Sequence, residues 1–355
     1  MTVREAFARR LLTWFDEHGR KDLPWQQDAT VYRVWISEIM LQQTQVQTVI
    51  PYFNHFVERF PDIASLAGAN QDDVLLHWSG LGYYARARNL HAAAQRISSD
   101  HNGQFPASLD EAIELPGIGR STAAAILALA AGQRHAILDG NVKRVLARHE
   151  AIAGWPGKTA VASDLWLAAE HNTPHTRVAD YTQAIMDLGA TLCTRSKPLC
   201  DRCPVSSDCS ARQSDSIGAY PGRKPKVRKP LRTTTMVLAS ANGQVYLERR
   251  PEAGIWGGLW SLPELAGQSV GDWCVEVLGG EANETESWDI LRHSFSHYDL
   301  DIQPIFVRIE LPASKVAEAD ARIWYEPDDA PPGGMAAPVR KLIDQLKKGE
   351  YVAHG

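Results

Sequence analysis

Four cysteines, Cys193, Cys200, Cys203 and Cys209, fall within 17 residues of a 355-residue chain, while Cys274 stands alone. In a reducing compartment, clustered thiols point to metal ligation rather than to disulfides. Zinc sites with cysteine ligands usually carry two short Cys-x2-Cys knuckles or a Cys/His mixture, and only one knuckle is present here. A single loop wrapping four thiolates around a cubane suits a 4Fe–4S cluster, with zinc or unligated thiols as alternatives. Pro198 and Pro204 stiffen the loop. Arg195, Lys197 and Arg202 project from it, so the cluster would organise a phosphate-binding surface rather than carry out redox chemistry.

A second anion-binding pattern lies upstream, at Leu115-Pro116-Gly117-Ile118-Gly119-Arg120-Ser121, just before an alanine-rich run. Glycines there allow a tight turn and leave amide N–H groups open at a helix start, where the helix dipole favours an anion. The pattern reads as a helix-hairpin-helix element, with an ordinary inter-helix turn as the alternative.

Two carboxyl groups have settings suited to chemistry. Glu38 lies on a strongly apolar helical stretch with Val34, Trp35 and Leu41 nearby. Desolvation there would keep it protonated, as a general acid requires; a place on a solvated helix edge is the alternative. Asp139 precedes Gly140-Asn141 at a helix start, where an aspartate makes a good N-cap whatever else it does.

The elements that must position these residues change character along the chain. From Thr2 to about Arg212 the periodicity predicts successive helices, among them 31–60, 72–78, 85–97, 109–115, 121–131, 142–149 and 161–171. Residues 216–232 read as a Pro/Gly-rich basic linker containing Arg223, Lys224, Lys226, Arg228, Lys229 and Arg232. It is either a strap along a phosphate backbone or a solvated tether. Beyond it, strands are expected at 233–239 and 244–249 around an Asn242-Gly243 turn, and at 297–310, with helices at 265–278 and 336–347. The predicted fold is therefore multidomain: an all-α part followed by a smaller α+β domain at 233–355.

Charge divides in the same place. Residues 1–232 carry 27 Lys and Arg against 23 Asp and Glu, whereas the rest carry 10 against 19. The overall charge of −5 hides a basic first part and an acidic second one. No apolar run approaches the roughly 20 residues of a membrane span, and the N-terminus shows neither signal nor transit pattern. A cytoplasmic, DNA-associated protein is the expectation.

The hairpin and the cysteine loop together resemble the endonuclease III superfamily, and more closely the MutY family of adenine-excising glycosylases. The likeness extends through Trp35–Thr44, Gly80–Arg88, Leu138–Arg144 and Met186–Ala190. It implies a helix-hairpin-helix glycosylase domain at 1–215, with a six-helix barrel at about 24–135 and an iron–sulfur part formed by 1–23 and 136–215. The cofactor implied is a 4Fe–4S cluster on the four loop cysteines.

By the same resemblance Glu38 protonates N7 of adenine, and Asp139 stabilises positive charge on the sugar, a division like that of glycoside hydrolysis. Asn141 and Ser121 support them. Bifunctional relatives carry a nucleophilic lysine where this chain has Ser121, which cannot form a Schiff base. Arg20, Gln183 and Met186 match adenine-pocket positions. Gln43, Thr44, Leu81 and Tyr83 match segments that enter the duplex and support the opposite base, 8-oxoguanine, and Tyr83 is suited to stack as a wedge. Plain core packing is the alternative for Leu81 and Tyr83. Gly117, Gly119 and Lys143 are the expected phosphate contacts, with slow adventitious imine formation as the alternative for Lys143, which lies near Asp139 in sequence.

Gly254–Pro263 within the second part resembles a Nudix-type fold, but residues 265–278 offer only Asp272 and Glu276 where a pyrophosphatase needs converging carboxylates. A reader of 8-oxoguanine is implied instead, through Phe295, Ser296 and His297. The implied activity is monofunctional: hydrolysis of the N-glycosidic bond of adenine opposite 8-oxoguanine or guanine, by a monomer on double-stranded DNA. A glycosylase-lyase for oxidised pyrimidines, a non-catalytic DNA-binding protein and a nucleotide pyrophosphatase are the competing readings.

Overall fold

The computed structural model describes residues 3–225, 228–310 and 321–349. Lys226, counted in the linker, lies outside them. The chain divides into two compact units, Met1–Gly68 with Asn89–Lys226 and Ala69–Arg88 with Val227–Gly355. The segment 69–88, expected in the helical part, thus groups with the C-terminal unit.

In chain order the helices are α1 (Val3–His18), α2 (Val31–Leu41), α3 (Val46–Arg59), α4 (Ile63–Ala67), α5 (Gln71–His77), α6 (Ala85–Asp100), α7 (Leu109–Ile113), α8 (Arg120–Ala131), α9 (Gly140–His149), α10 (Thr159–Asn172), α11 (Val178–Asp187) and α12 (Ser210–Gln213). The single helix expected over 31–60 is two. Gln42 closes α2 by donating its N–H to Ile39, and Gln43 takes a left-handed φ of 60°, which no helix can continue through.

One apolar cluster of the first unit includes Phe7, Leu11 and Phe15 of α1, Val142 and Leu146 of α9, and Ile185 of α11. Each such side chain contributes about 1.5–3 kcal/mol of burial. Helix α8 is buried from Ala123 to Ala128; its small side chains let neighbouring helices approach closely. Helix α2 is apolar almost all round, with Val34, Trp35, Ile36, Ile39 and Met40 buried, so it runs through the interior rather than along a surface.

The second unit is built on a mixed sheet of β1 (Leu231–Ala241), β2 (Gln244–Arg249), β3 (Trp260–Ser261), β4 (Ala282–Ser287), β5 (Leu291–Ser294), β6 (Asp299–Ile309) and β7 (Arg322–Tyr325). The order is β3-β2-β1-β6-β4, with β7 also pairing β2 and β5 also pairing β6. Asn242 and Gly243 have φ of 52° and 86°, the type I′ geometry expected of the β1–β2 turn. The central pair, β1 with β6, is parallel from Leu231 opposite Asp299 to Ser240 opposite Arg308.

The helix expected over 265–278 is shorter. Leu265 donates its N–H to Thr235 and so extends the sheet's hydrogen bonding, and Gly267 turns at φ 90°. Ser269 then caps α13 (Val270–Trp273), which passes into a π turn over Cys274–Leu278. Trp273, Cys274 and Leu278 bury against Val237, Tyr246 and Val307 of the sheet. Helix α14 (Ala337–Lys348) follows, with Pro338 in its first turn. Among the described residues no helix is long and apolar enough to cross a membrane.

Candidate active site

Glu38 is carried by the interior helix α2, among Val34, Trp35 and Ile39, and remains partly open at the protein surface. Burial, and secondly the negative charge of Asp139, push its pKa up to about 8. It is therefore a protonated acid at neutral pH.

Asp139 caps α9: its carboxylate accepts the Val142 N–H at 2.7 Å. Burial raises its pKa too, but the N–H groups of Val142 and Asn141 and the charges of Arg144 and Lys143 oppose that rise. Glu38 has no such partners. Of the two acids, Asp139 is therefore the one to ionise first, and its ionisation reinforces the proton on Glu38.

Ser121, in the first turn of α8, accepts the N–H of Leu138 at 2.9 Å and so pins the strand of chain that leads into Asp139. Asn141 accepts from Arg144 at 2.8 Å, and Arg144 in turn donates to the carbonyls of Gly189 and Cys193. Gly189 lies so close that a Cβ there would meet the Asn141 Cβ at 2.6 Å. The start of α9 is thus fixed from two sides.

Arg20 and Gln183 converge on one carboxylate. Asp187, fully buried, accepts from the Arg20 backbone N–H at 2.8 Å, from its guanidinium at 2.6 and 2.9 Å, and from the Gln183 amide at 2.8 Å. Met186, next to Asp187, is half-buried against the core. Gln43 is exposed; Thr44 is half-buried and donates to the Gln42 carbonyl.

At the hairpin only Gly117 has a left-handed φ, 76°, and a Cβ there would meet Asn89 at 2.8 Å. Gly119 has ordinary extended backbone and caps α8 with no side-chain partner, so the first N–H groups of that helix stay open. Lys143 is half-buried on α9.

Cys193, Cys200, Cys203 and Cys209 line one apolar cavity together with Arg148, Leu192 and Val205. Among the described residues no three His, Cys, Asp or Glu side chains converge on a single ion. Four thiolates on the wall of one apolar cavity are a donor set suited to a cysteine-held 4Fe–4S cluster. Arg148, buried, donates to Cys193 Sγ at 3.3 Å and to the carbonyls of Thr194 and Arg195 at 2.7 and 3.1 Å, which fixes the loop's entry. Arg195, Lys197 and Arg202 lie on the same loop, all three at the surface.

In the second unit, Leu81 is buried and Tyr83 is exposed at φ 49°. Phe295, Ser296 and His297 lie between β5 and β6, Ser296 and His297 exposed and Phe295 packed 4.7 Å from the Tyr298 ring.

Three family models match the chain in succession: HhH-GPD superfamily base excision DNA repair protein over residues 36–171, iron–sulfur binding domain of endonuclease III over 193–209, and NUDIX domain over 234–345. The chain is 38% identical over 345 residues to the adenine DNA glycosylase of Buchnera aphidicola subsp. Acyrthosiphon pisum, covering 97% of this chain and 99% of that one. The chain belongs to the adenine DNA glycosylase family. The human adenine DNA glycosylase is 36% identical over 314 residues, covering 73% of this chain and 57% of the human one. A thermostable thymine-DNA glycosylase superposes with a TM-score of 0.54 at 27% identity, over 59% of this chain and 97% of that one.

Family membership accounts for the two-part architecture, a glycosylase domain and a Nudix-type domain, and for the cofactor, a 4Fe–4S cluster. Residue patterns assign no role to Asp187, Arg144 or Arg148, although each joins expected site residues. Asp187 and Arg144 lie inside the segments Met186–Ala190 and Leu138–Arg144, but nothing in a sequence marks which polar residue will be buried between two others.

Proposed function

We propose that this chain is a monofunctional glycosylase that hydrolyses the N-glycosidic bond of adenine opposite 8-oxoguanine or guanine in duplex DNA. The observation that carries the reading is the pairing of a protonated Glu38 with a capped Asp139 in one electrostatic environment.

Adenine must leave the stack before either carboxyl can act. Glu38 gives its proton to N7, so the base departs as a neutral leaving group. Asp139, held by the Val142 N–H, offers its negative charge to the developing positive charge at C1′. Water adds its hydroxyl to C1′ and its proton restores the acid, leaving an abasic site. Ser121 has no amine and is engaged with Leu138, so no Schiff base forms there. Arg20, Gln183 and Met186 receive the adenine, and Asp187 holds the first two in place. Gln43, Thr44 and Tyr83 contact the duplex, Leu81 lies buried in the turn that carries Tyr83, and Phe295, Ser296 and His297 read the opposite base.

Cys193, Cys200, Cys203 and Cys209 are the residues that would hold the cluster. It supplies a rigid scaffold for the basic loop, and Gly117, Gly119 and Lys143 add phosphate contacts. The protein works as a monomer in the cytoplasm, on the DNA.

Duplexes holding adenine opposite 8-oxoguanine, adenine opposite guanine, or thymine glycol test the reading. Strand breaks appearing only after base treatment, and only on the adenine duplexes, are expected. Direct strand cleavage with efficient borohydride trapping would instead mark a lyase.

A further inference from the structure

Within the second unit a short run of contacts joins two loops to which the proposed function gives different tasks. The first is the Gly80–Tyr84 turn. Gly80, Gly82 and Tyr83 all have left-handed φ, of 106°, 72° and 49°. Buried Arg86 supports the turn from below, donating to the Gly82 carbonyl at 3.2 Å with its guanidinium 5.6 Å from the Tyr83 ring.

Two residues further on, Arg88 turns the other way and donates to the Gly257 carbonyl at 2.6 Å. A Cβ at Gly257 would lie 2.1 Å from the Glu252 carbonyl oxygen, so the backbone is tightly constrained where Arg88 grips it. The preceding residue, Trp256, has φ 54°, a conformation that costs a bulky side chain about 1 kcal/mol or more. Such strain persists only where neighbours over-determine it. On the backbone side they include the Leu259 N–H, which donates to the Trp256 carbonyl at 3.0 Å, and Arg88 on the next carbonyl; on the ring side they include Phe295 at 5.4 Å, His293 at 5.5 Å and the Arg250 guanidinium at 5.9 Å.

We propose that Arg88 is a positioning residue that couples the Phe295–His297 loop to the Tyr83 turn through the Trp256–Gly257 backbone. The inference rests on the reading that this chain excises adenine and senses the base opposite it. The Trp256 ring packs against Phe295, and Arg88 sets where that ring sits. The same arginine leaves α6 one turn after Tyr84, whose hydroxyl donates to the Met335 carbonyl at 2.9 Å and secures the other end of the turn. Engagement of 8-oxoguanine by the exposed Ser296 and His297 is thereby felt at Tyr83. Discrimination between 8-oxoguanine and guanine is then a property of the linked pair of loops.

Single-turnover excision by the full-length, cluster-loaded protein tests this, on adenine opposite 8-oxoguanine and on adenine opposite guanine. The wild type, Arg88→Lys, Arg88→Ala, Trp256→Ala and the double alanine variant are compared. Arg88→Ala and Trp256→Ala should each lower the ratio of the two rates about tenfold or more, equivalent to about 1.4 kcal/mol of discrimination. Arg88→Lys, which can still donate to the Gly257 carbonyl, should keep most of the ratio. The double variant should be no worse than the more affected single one, because both break the same link. Equal losses on both substrates, an unchanged ratio, or losses that multiply in the double variant would each overturn the coupling. If the wild type releases adenine from neither duplex, the underlying reading fails and this inference with it. If the wild type discriminates and every variant does so equally well, only the link is refuted.

Discussion

The charge of Asp139 reaches Glu38 and adds to the burial that keeps the proton on the glutamate. The effect is not symmetrical. Asp139 has two backbone N–H groups and two cations working to keep it ionised, while Glu38 has an apolar helix around it. One helix cap and one interior helix thus produce an acid and an anion from two side chains of nearly equal intrinsic acidity.

The first consequence concerns pH. Glu38 titrates near 8 in the folded protein and near 4.5 without its surroundings. Excision should fall as pH rises through about 8, as the acid form is lost. The same displacement stabilises the fold fully below pH 4.5, and that contribution is lost progressively as pH rises toward 8, at about 1.4 kcal/mol per unit of displacement. Glu38→Gln should therefore gain stability relative to the wild type across that interval, read by urea melts at several pH values.

Asp139 does two things that substitution can separate. Asparagine caps a helix about as well as aspartate, whereas alanine costs about 1 kcal/mol at such a position. Asp139→Asn should melt close to the wild type and Asp139→Ala lower. Both should lose excision by about two to three orders of magnitude or more, because neither carries the charge. Thermal denaturation beside single-turnover rates separates the two effects.

Asp187 is buried while its partner Arg20 is about a quarter exposed. Asp187→Asn removes the charge on which two guanidinium N–H groups of Arg20 converge, and breaking a buried pair typically costs about 3–5 kcal/mol. A marked drop in melting temperature is expected, together with a loss of excision larger than that of a surface control such as Asp201→Asn.

The iron–sulfur loop should matter for binding. Cys203→Ala should lower the iron content and release the loop that displays Arg195, Lys197 and Arg202. Every phosphate that the protein no longer neutralises reduces the slope of log affinity against log salt by about 0.9, so release of the loop should flatten that slope by about two units or more. Binding titrations at several salt concentrations and iron analysis check this together.

Much of this was legible from residue patterns. The cysteine spacing, the Asn242-Gly243 turn and the alanine-rich α8 are local signals whose meaning does not depend on the rest of the chain. The break at Gln43 was not legible, because apolar periodicity continues on both sides of one left-handed residue. Residues 265–269 have a helical pattern, but Leu265 hydrogen-bonds to β1, a tertiary contact that overrides propensity. Trp256 and Asp187 were hidden for a related reason: their importance lies in what they touch, and the partners that decide it, Phe295 for the one and Arg20 for the other, are distant in sequence. Leu81 shows the reverse case, a residue matched to a duplex-contacting segment that the fold buries.

The most direct test of the paired-carboxyl account is single-turnover adenine release from an adenine:8-oxoguanine duplex by wild type, Glu38→Gln and Asp139→Asn, with duplex affinity measured on the same samples. The account predicts that both variants bind within a few-fold of wild type while adenine release falls by orders of magnitude. Release at an undiminished rate by either variant would contradict it.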